Sequence, residues 1–307
     1  PAGAAVTLAV TGATGFVGRA LLDEAAKRDL EVRALTRREQ TRSPGIAWIP
    51  GDLHDRKALR ELVKNAEAVI HVAGVVNTSD PMGFHLGNVE GTMALVEAAV
   101  AAGVPRFVFV SSLAAREPAL SKYGASKAHA EKLVKASGLD WTIVRPPAIY
   151  GPRDREILDI FRAARWGMVP MPPPGRMSMV HVADLARLLL ALVPSGERVT
   201  HHTFEPDDGK PEGWSHRELA RAIGWAIGRR PWVPHLSKPM LERLARLDKA
   251  FRGRKARLTP DRVGYMVHPD WVSRVSKRPP VKLWRPEVPT LEGLKETAAW
   301  YREQGWL

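Results

Sequence analysis

Short apolar runs alternate with stretches of helical spacing through the first half of the chain. Residues 5–10 make a run long enough for one buried strand, after which Phe16, Val17, Ala20, Leu21 and Leu22 recur at helical spacing. Further strands are predicted at Glu31 to Thr36, Ile46 to Ile49, Ala68 to Val72, Arg106 to Val110 and Trp141 to Arg145. Between them lie helical patterns from Phe16 to Arg28, from Arg56 to Lys64 behind a capping Asp55, from Gly87 to Gly103, and from Tyr123 to Ala136. Such alternation predicts the α/β class, with a doubly wound parallel sheet covered on both faces. Arg145-Pro146-Pro147 then breaks regular structure. This divides the chain into residues 1–150, which build the sheet, and residues 151–307, a smaller region whose segments near 176–204 are expected to return to the first.

In the second half, Asp154 predicts the cap of a helix from Arg155 to Trp166, and a loop rich in Pro and Met follows from Met168 to Met179. Helices are expected at Ala183 to Leu192, at Ser215 to Ile227 behind a Ser215/Glu218 capping box, and at Thr290 to Gly305. Ser237 to Phe251 sets Met240, Leu241, Leu244, Leu247 and Phe251 against Arg243, Arg246, Lys249 and Arg252, and the basic run continues through Arg254, Lys255, Arg257 and Arg262. This segment is either a helix docked on the core with a solvated basic face or an interfacial helix drawn to anionic lipid.

Composition narrows the function classes. With 45% apolar residues in 307, the chain is no disordered segment. The absence of cysteine excludes disulfides, thiolate catalysis and Cys-metal sites. His201 and His202 are adjacent and do not read as a metal pair, so no metal is expected. No leader-like segment or membrane-length apolar run stands out, which sets the expectation of a cytoplasmic protein. A net charge of +13 implies attraction to anionic ligands or lipid surfaces, and no recognition motif points to nucleic acid as a partner.

The chemistry begins at Thr11-Gly12-Ala13-Thr14-Gly15-Phe16-Val17-Gly18, on a strand-to-helix turn. Gly12 permits the tight turn, Gly15 lets backbone approach a ligand, and Gly18 lets the helix pack on the sheet. The helix start then offers N–H groups to a pyrophosphate. At the end of the second strand, where a carboxylate would bind the 2′-hydroxyl of NAD, stand Thr36, Arg37 and Arg38, a set suited to a 2′-phosphate and hence to NADP over NAD. Ser111 and Ser112 close the fifth strand. Tyr123 and Lys127 share a helix face, where an ammonium beside a phenol favours the phenolate and lowers its pKa from about 10. Ser112 could hold a substrate oxygen against that phenol.

These motifs, with Gly51-Asp52-Leu53, Asn88-Val-x-Gly91-Thr92, Arg145-Pro146-Pro147-Ala148-Ile149-Tyr150-Gly151-Pro152 and Val180-His181-Val182-x-Asp184, stand in one order over nearly the whole chain. The chain resembles the extended short-chain dehydrogenase/reductase superfamily, the NAD(P)-dependent epimerase/dehydratase-like group with a Rossmann-type sheet. The resemblance implies that Tyr123 is the general acid/base, that Lys127 bonds the nicotinamide ribose and lowers the tyrosine pKa, and that Ser112 orients the reacting oxygen. It implies cofactor contacts from Gly12, Thr14, Gly15, Phe16 and Val17, from Asp52 and Leu53 at the adenine, from Ala73 and Gly74, from Asn88 as a support, and from Pro146. A substrate wall is expected from Leu113, Pro147, Met168, Met171 and Met177, although ordinary packing explains the methionines as well. Homodimers are common among relatives.

The resulting expectation is an oxidoreductase interconverting an alcohol and a carbonyl with NADP(H), on an apolar small molecule of the steroid, lipid or flavonoid-like kind. Two readings stay open beside it. One is an NDP-sugar epimerase or dehydratase with a recycled cofactor, and the other is a non-catalytic NADPH-binding sensor or assembly factor.

Overall fold

The computed structural model describes residues 7–78, 80, 82–253 and 256–307. Residues 5 and 6 of the expected first strand, and Arg254 and Lys255 of the basic run, lie outside the described residues. The central sheet has seven parallel strands: β1 (Thr7–Thr11), β2 (Glu31–Thr36), β3 (Ile46–Pro50), β4 (Ala68–His71), β5 (Phe107–Val110), β6 (Trp141–Val144) and β10 (His202–Phe204). Their spatial order is β3-β2-β1-β4-β5-β6-β10, so the chain reverses direction across the sheet between β1 and β4. Ligands of open α/β sheets lie at such a switch point, beyond the carboxyl ends of the strands.

Period-two alternation in the strands feeds two apolar layers. Leu8 and Val10 face one layer with Leu21 and Leu22 of α1 (Phe16–Ala26) and Leu185, Leu188 and Leu189 of α6 (Val182–Ala191). Ala9 faces the other, where Leu59 and Leu62 of α2 (Arg56–Val63), Leu95 and Ala99 of α3 (Gly91–Ala101), and Ala130 and Val134 of α4 (Lys122–Lys135) are buried. These strands are therefore covered on both sides, as their nearly continuous apolar sequences require.

The second half builds a third layer around Tyr150, Phe161, Leu219, Ile223, Leu294 and Tyr301. It contains β7 (Ala148–Tyr150), α5 (Leu158–Arg165), β8 (Arg176–Met177), β9 (Met179–His181), β11 (Trp214–Ser215), α7 (His216–Ala226), α8 (Lys238–Arg252), α9 (Pro260–Met266), β12 (Asp270–Trp271) and α10 (Thr290–Glu303). The Ser215/Glu218 capping box is present at the start of α7. Asp184 ties the tail to α6 by accepting from the backbone N–H groups of Glu287 and Val288 at 3.2 and 3.1 Å.

Two helix starts differ from the sequence expectation. The helix expected from Arg155 begins at Leu158, because the Asp154 carboxylate accepts from Glu156 N and Ile157 N at 2.8 and 3.0 Å and closes a separate turn first. The long helix expected from Gly87 opens as a π-helical turn, His85–Glu90, before α3 takes over. That wider turn carries Asn88.

Candidate active site

Gly12 sits at φ +73°, and a Cβ there would lie 2.6 Å from the backbone N of Ala73. A Cβ on Gly18 would come within 2.1 Å of the Gly12 carbonyl oxygen, so only glycine lets α1 start this close to the turn. Helix α1 starts at Gly15 with neither a side-chain cap nor an acidic residue in its first turn. Its leading N–H groups and positive dipole end are left for an anion.

Thr14, Gly15, Phe16 and Val17 line one continuous cleft of about 1430 Å³ together with Gly12. The same cleft takes Thr36 and Arg37 from the end of β2, Asp52 and Leu53 after β3, and Ala73 and Gly74 after β4. Ser112 and Leu113 follow β5, Tyr123 opens α4, Pro146 and Pro147 follow β6, and Met171 and Met177 come from the second half. Every strand end named here is a carboxyl end. Arg37 has no acidic partner among the described residues, and Arg38 borders a smaller adjoining hollow with Trp48 rather than the cleft itself.

Asn88 and Lys127 are buried just behind the wall. Asn88 Oδ1 accepts from Val75 N at 2.7 Å, while its Nδ2 donates to Val75 O and to Ser126 Oγ, each at 2.9 Å. Ser126 Oγ in turn donates to the carbonyl of Tyr123 at 2.8 Å. Asn88 therefore ties the segment after β4 to the helix turn that carries the phenol. Beneath it, His71 Nε2 lies 2.9 Å from Thr92 Oγ1, whose own proton goes to Asn88 O at 2.7 Å. Thr92 must then accept from His71, which leaves Nδ1 as the acceptor for the Thr11 hydroxyl at 2.6 Å. Complete burial holds His71 neutral, with its pKa lowered to about 3.

The phenol differs from the sequence expectation. Burial pushes Tyr123 up to about 12, opposed by a hydrogen bond with Ser112, and the neighbouring Tyr265 adds to the rise. The expected depression by Lys127 is absent because the ammonium is turned elsewhere. Its Nζ donates to Val110 O at 2.8 Å and lies 4.6 Å from the Phe109 ring, and burial brings its own pKa down to about 8. Ser111 is also committed, since its Oγ donates to the buried Glu131 at 2.6 Å. That leaves Ser112 as the strand-end serine facing the phenol.

Met168 corrects the expected substrate wall. It is 46% exposed and bridged to Trp232, its side chain turned outward where those of Val169 and Met171 on the same ribbon turn inward. Trp166 likewise faces solvent.

Comparison with known proteins identifies the family and the fold. The sequence model of a family described as NAD(P)H-binding matches residues 12–195. A ceramide reductase of Caulobacter vibrioides is 37% identical over 311 aligned positions, covering 98% of this chain and 96% of that one. A UDP-glucose 4-epimerase of Vibrio cholerae is 26% identical, covering 74% of this chain and 77% of that one. Among solved structures, MoeE5 in complex with UDP-glucose and NAD aligns at a TM-score of 0.73 and 25% identity, covering 97% and 99% of the two chains. The chain belongs to the extended short-chain dehydrogenase/reductase family. It is an NAD(P)-dependent enzyme of a family whose similar members include reductases and epimerases.

For an extended short-chain dehydrogenase/reductase, the donor set suits a dinucleotide: an uncapped helix start, glycines at the contact points and a free guanidinium at the β2 end. The far wall of the cleft is what the sequence did not single out. Tyr265 and Met266 of α9, Trp271 of β12, Trp300 of α10 and Trp306 line it. Tyr265 sits 6.0 Å ring to ring from Tyr123, although 142 positions separate the two in sequence. Only the abundance of late tryptophans, eight of ten at or after Trp166, hinted at this wall.

Proposed function

We propose that the protein interconverts an alcohol and a carbonyl on a largely apolar small molecule, using NADP(H). The observation that carries this reading is the continuity of the cleft. It runs from the glycine turn past Ser112 and Tyr123 to Met171, Met177, Met266, Trp271, Trp300 and Trp306, without a second anion-binding helix start among these residues. Of the arginines lining the cleft, Arg262 pairs with Glu156 and Arg153 with Asp23, each at 2.6 Å, while Arg155 lies 4.7 Å from the Trp306 ring with no carboxylate partner among the described residues. Two of these three guanidinium groups thus already have a carboxylate, which leaves Arg155 as the unpaired one for the diphosphate of a nucleotide sugar. The similarity to a ceramide reductase, a protein named for a lipid substrate, supports the same direction.

When bound, the reduced nicotinamide supplies the hydride. Ser112 donates a hydrogen bond to the carbonyl oxygen and fixes it against the phenol. Tyr123, protonated at neutral pH because burial raises its pKa, gives that oxygen its proton as negative charge develops there. Lys127, freed from Val110 O by rotation of its flexible stem, holds the cofactor ribose and stabilises the phenolate left behind. Arg37 at the β2 end recognises a 2′-phosphate, which selects NADP over NAD. On this reading residues 1–150 serve the dinucleotide and 151–307 mostly serve the substrate, with 176–204 lending α6 and β10 to the sheet.

The second reading is an NDP-sugar epimerase, favoured by the similarity to a UDP-glucose 4-epimerase. Loss of NADPH absorbance against a panel of apolar ketones, aldehydes and nucleotide sugars, with product analysis of the sugars, tests both. Turnover of an apolar ketone that falls by at least about a hundredfold in Tyr123→Phe is the expected result. Conversion of a nucleotide sugar without net cofactor consumption would replace the first reading with the second.

A further inference from the structure

Helix α8 presents two different faces to solvent and one to the protein. Leu241 and Ala245 turn inward onto Val263 of α9. Met240, Leu244, Leu247 and Phe251 follow at spacings of four, three and four, which at about 100° per residue confines them to a sector of about 60°. They are 49, 40, 53 and 86% exposed, so this stripe is distinct from the buried one. Arg243 borders this stripe and Arg246 and Lys249 continue round the helix away from it, all three exposed and without a carboxylate partner among the described residues. The two acids of the helix are occupied, Glu242 with Lys238 at 4.0 Å and Asp248 with Arg252 at 3.3 Å and with the backbone N–H groups of Arg257 and Leu258.

We infer that this outer face of α8 docks on an anionic lipid bilayer. An apolar stripe bordered by unpaired cations is the pattern that buries side chains at the acyl boundary while guanidinium and ammonium groups reach the headgroups. Charge selects the occupant. A second copy packed symmetrically on this stripe would bring two cationic borders together, in a chain that already carries +13. An anionic surface complements the apolar stripe together with the cation that borders it, Arg243, and Arg246 on the same side of the helix. The placement also has a consequence for access. α8 rests on α9, and α9 supplies Tyr265 and Met266 to the cleft wall, so the docked face lies one helix layer from Tyr123. This surface is argued independently of the substrate, and rests on the apolar-carbonyl reading only for what the bilayer would deliver.

The test is co-sedimentation of the full chain with vesicles of phosphatidylcholine alone and of phosphatidylcholine mixed with phosphatidylglycerol. The expected result is partition onto the anionic vesicles that weakens at high salt. Leu247→Glu with Phe251→Glu, and separately Arg243→Glu with Arg246→Glu, should each lower that partition by at least about tenfold while NADPH affinity stays unchanged. Absence of partition, or equal partition of both variants with the parent, would overturn the inference. So would a dimer that Phe251→Glu disperses without any vesicle binding, since the stripe would then belong to a second copy. Turnover of a water-dispersed ketone is measured on the same samples, so failure of docking and failure of the apolar-carbonyl reading are read separately.

Discussion

Acid should weaken this fold through His71 before it affects the surface. The imidazole is fully buried between Thr11 and Thr92, and its pKa is held at about 3, chiefly by burial and secondarily by the Lys127 charge. In the unfolded chain it titrates near 6.5. Above that value both states are neutral there and His71 adds no pH dependence. As pH falls from 6.5 the unfolded state gains a proton that the folded state refuses, so stability is lost down to about pH 3. The full gap of about 3.5 pH units corresponds to on the order of 5 kcal/mol, of which about 2 kcal/mol is lost between pH 7 and pH 5. Replacing His71 with Gln keeps one acceptor and one donor in the slot but removes the titration. Urea unfolding of both proteins at pH 7 and pH 5 isolates the effect, since every other group is shared. The parent should lose about 2 kcal/mol more than His71→Gln over that interval. Parallel losses would refute the reasoning and mean that the imidazole accepts a proton in place. His71 and Thr11 also fix the backbone at Ala73, and because the folded state keeps His71 neutral, this tie is unchanged between pH 7 and pH 5.

Other outcomes follow from the same geometry. Arg37→Ala should weaken NADPH by about 2 kcal/mol, roughly thirtyfold in Kd, and leave NADH within about twofold, as titration calorimetry would read; equal losses would remove the 2′-phosphate assignment. All four tyrosines have pKa values raised by burial, so absorbance at the phenolate band should show less ionisation at about pH 10 in the folded protein than in a denatured control, where about half is ionised. Arg145→Met takes from the buried Glu131 two hydrogen bonds of 2.8 and 2.6 Å and from the buried Glu205 an ion pair at 3.7 Å, and should cost about 3–5 kcal/mol in urea unfolding. Changing Arg145 and Glu131 together to apolar residues should recover only part of that loss, because Glu205 then keeps Arg116 at 3.7 Å as its remaining cation.

The sequence by itself determined the sheet and its floor. Local rules were enough there: apolar runs of strand length, helical spacing between them, and glycines at a turn where Gly18 has no room for a side chain. Gly12 to Val17, Thr36, Arg37, Asp52, Leu53, Ala73, Gly74, Ser112 and Tyr123 could be placed together because parallel strands carry all their carboxyl ends to one side. What the sequence could not supply was direction and electrostatics. Lys127 shares a helix face with Tyr123, yet whether its ammonium meets the phenol or the Val110 carbonyl depends on the strand packed beside it. The phenol pKa rises because neighbours from distant parts of the chain exclude water, and no spacing rule sees them. Met168 and Met171 are three residues apart and look alike in sequence, but one bridges Trp232 on the outside and the other enters the cleft. The far wall of the cleft comes from α9, β12, α10 and Trp306, and although the α10 helix was legible from its own spacing, the nearness of these segments to Tyr123 exists only after the third layer has packed on the sheet.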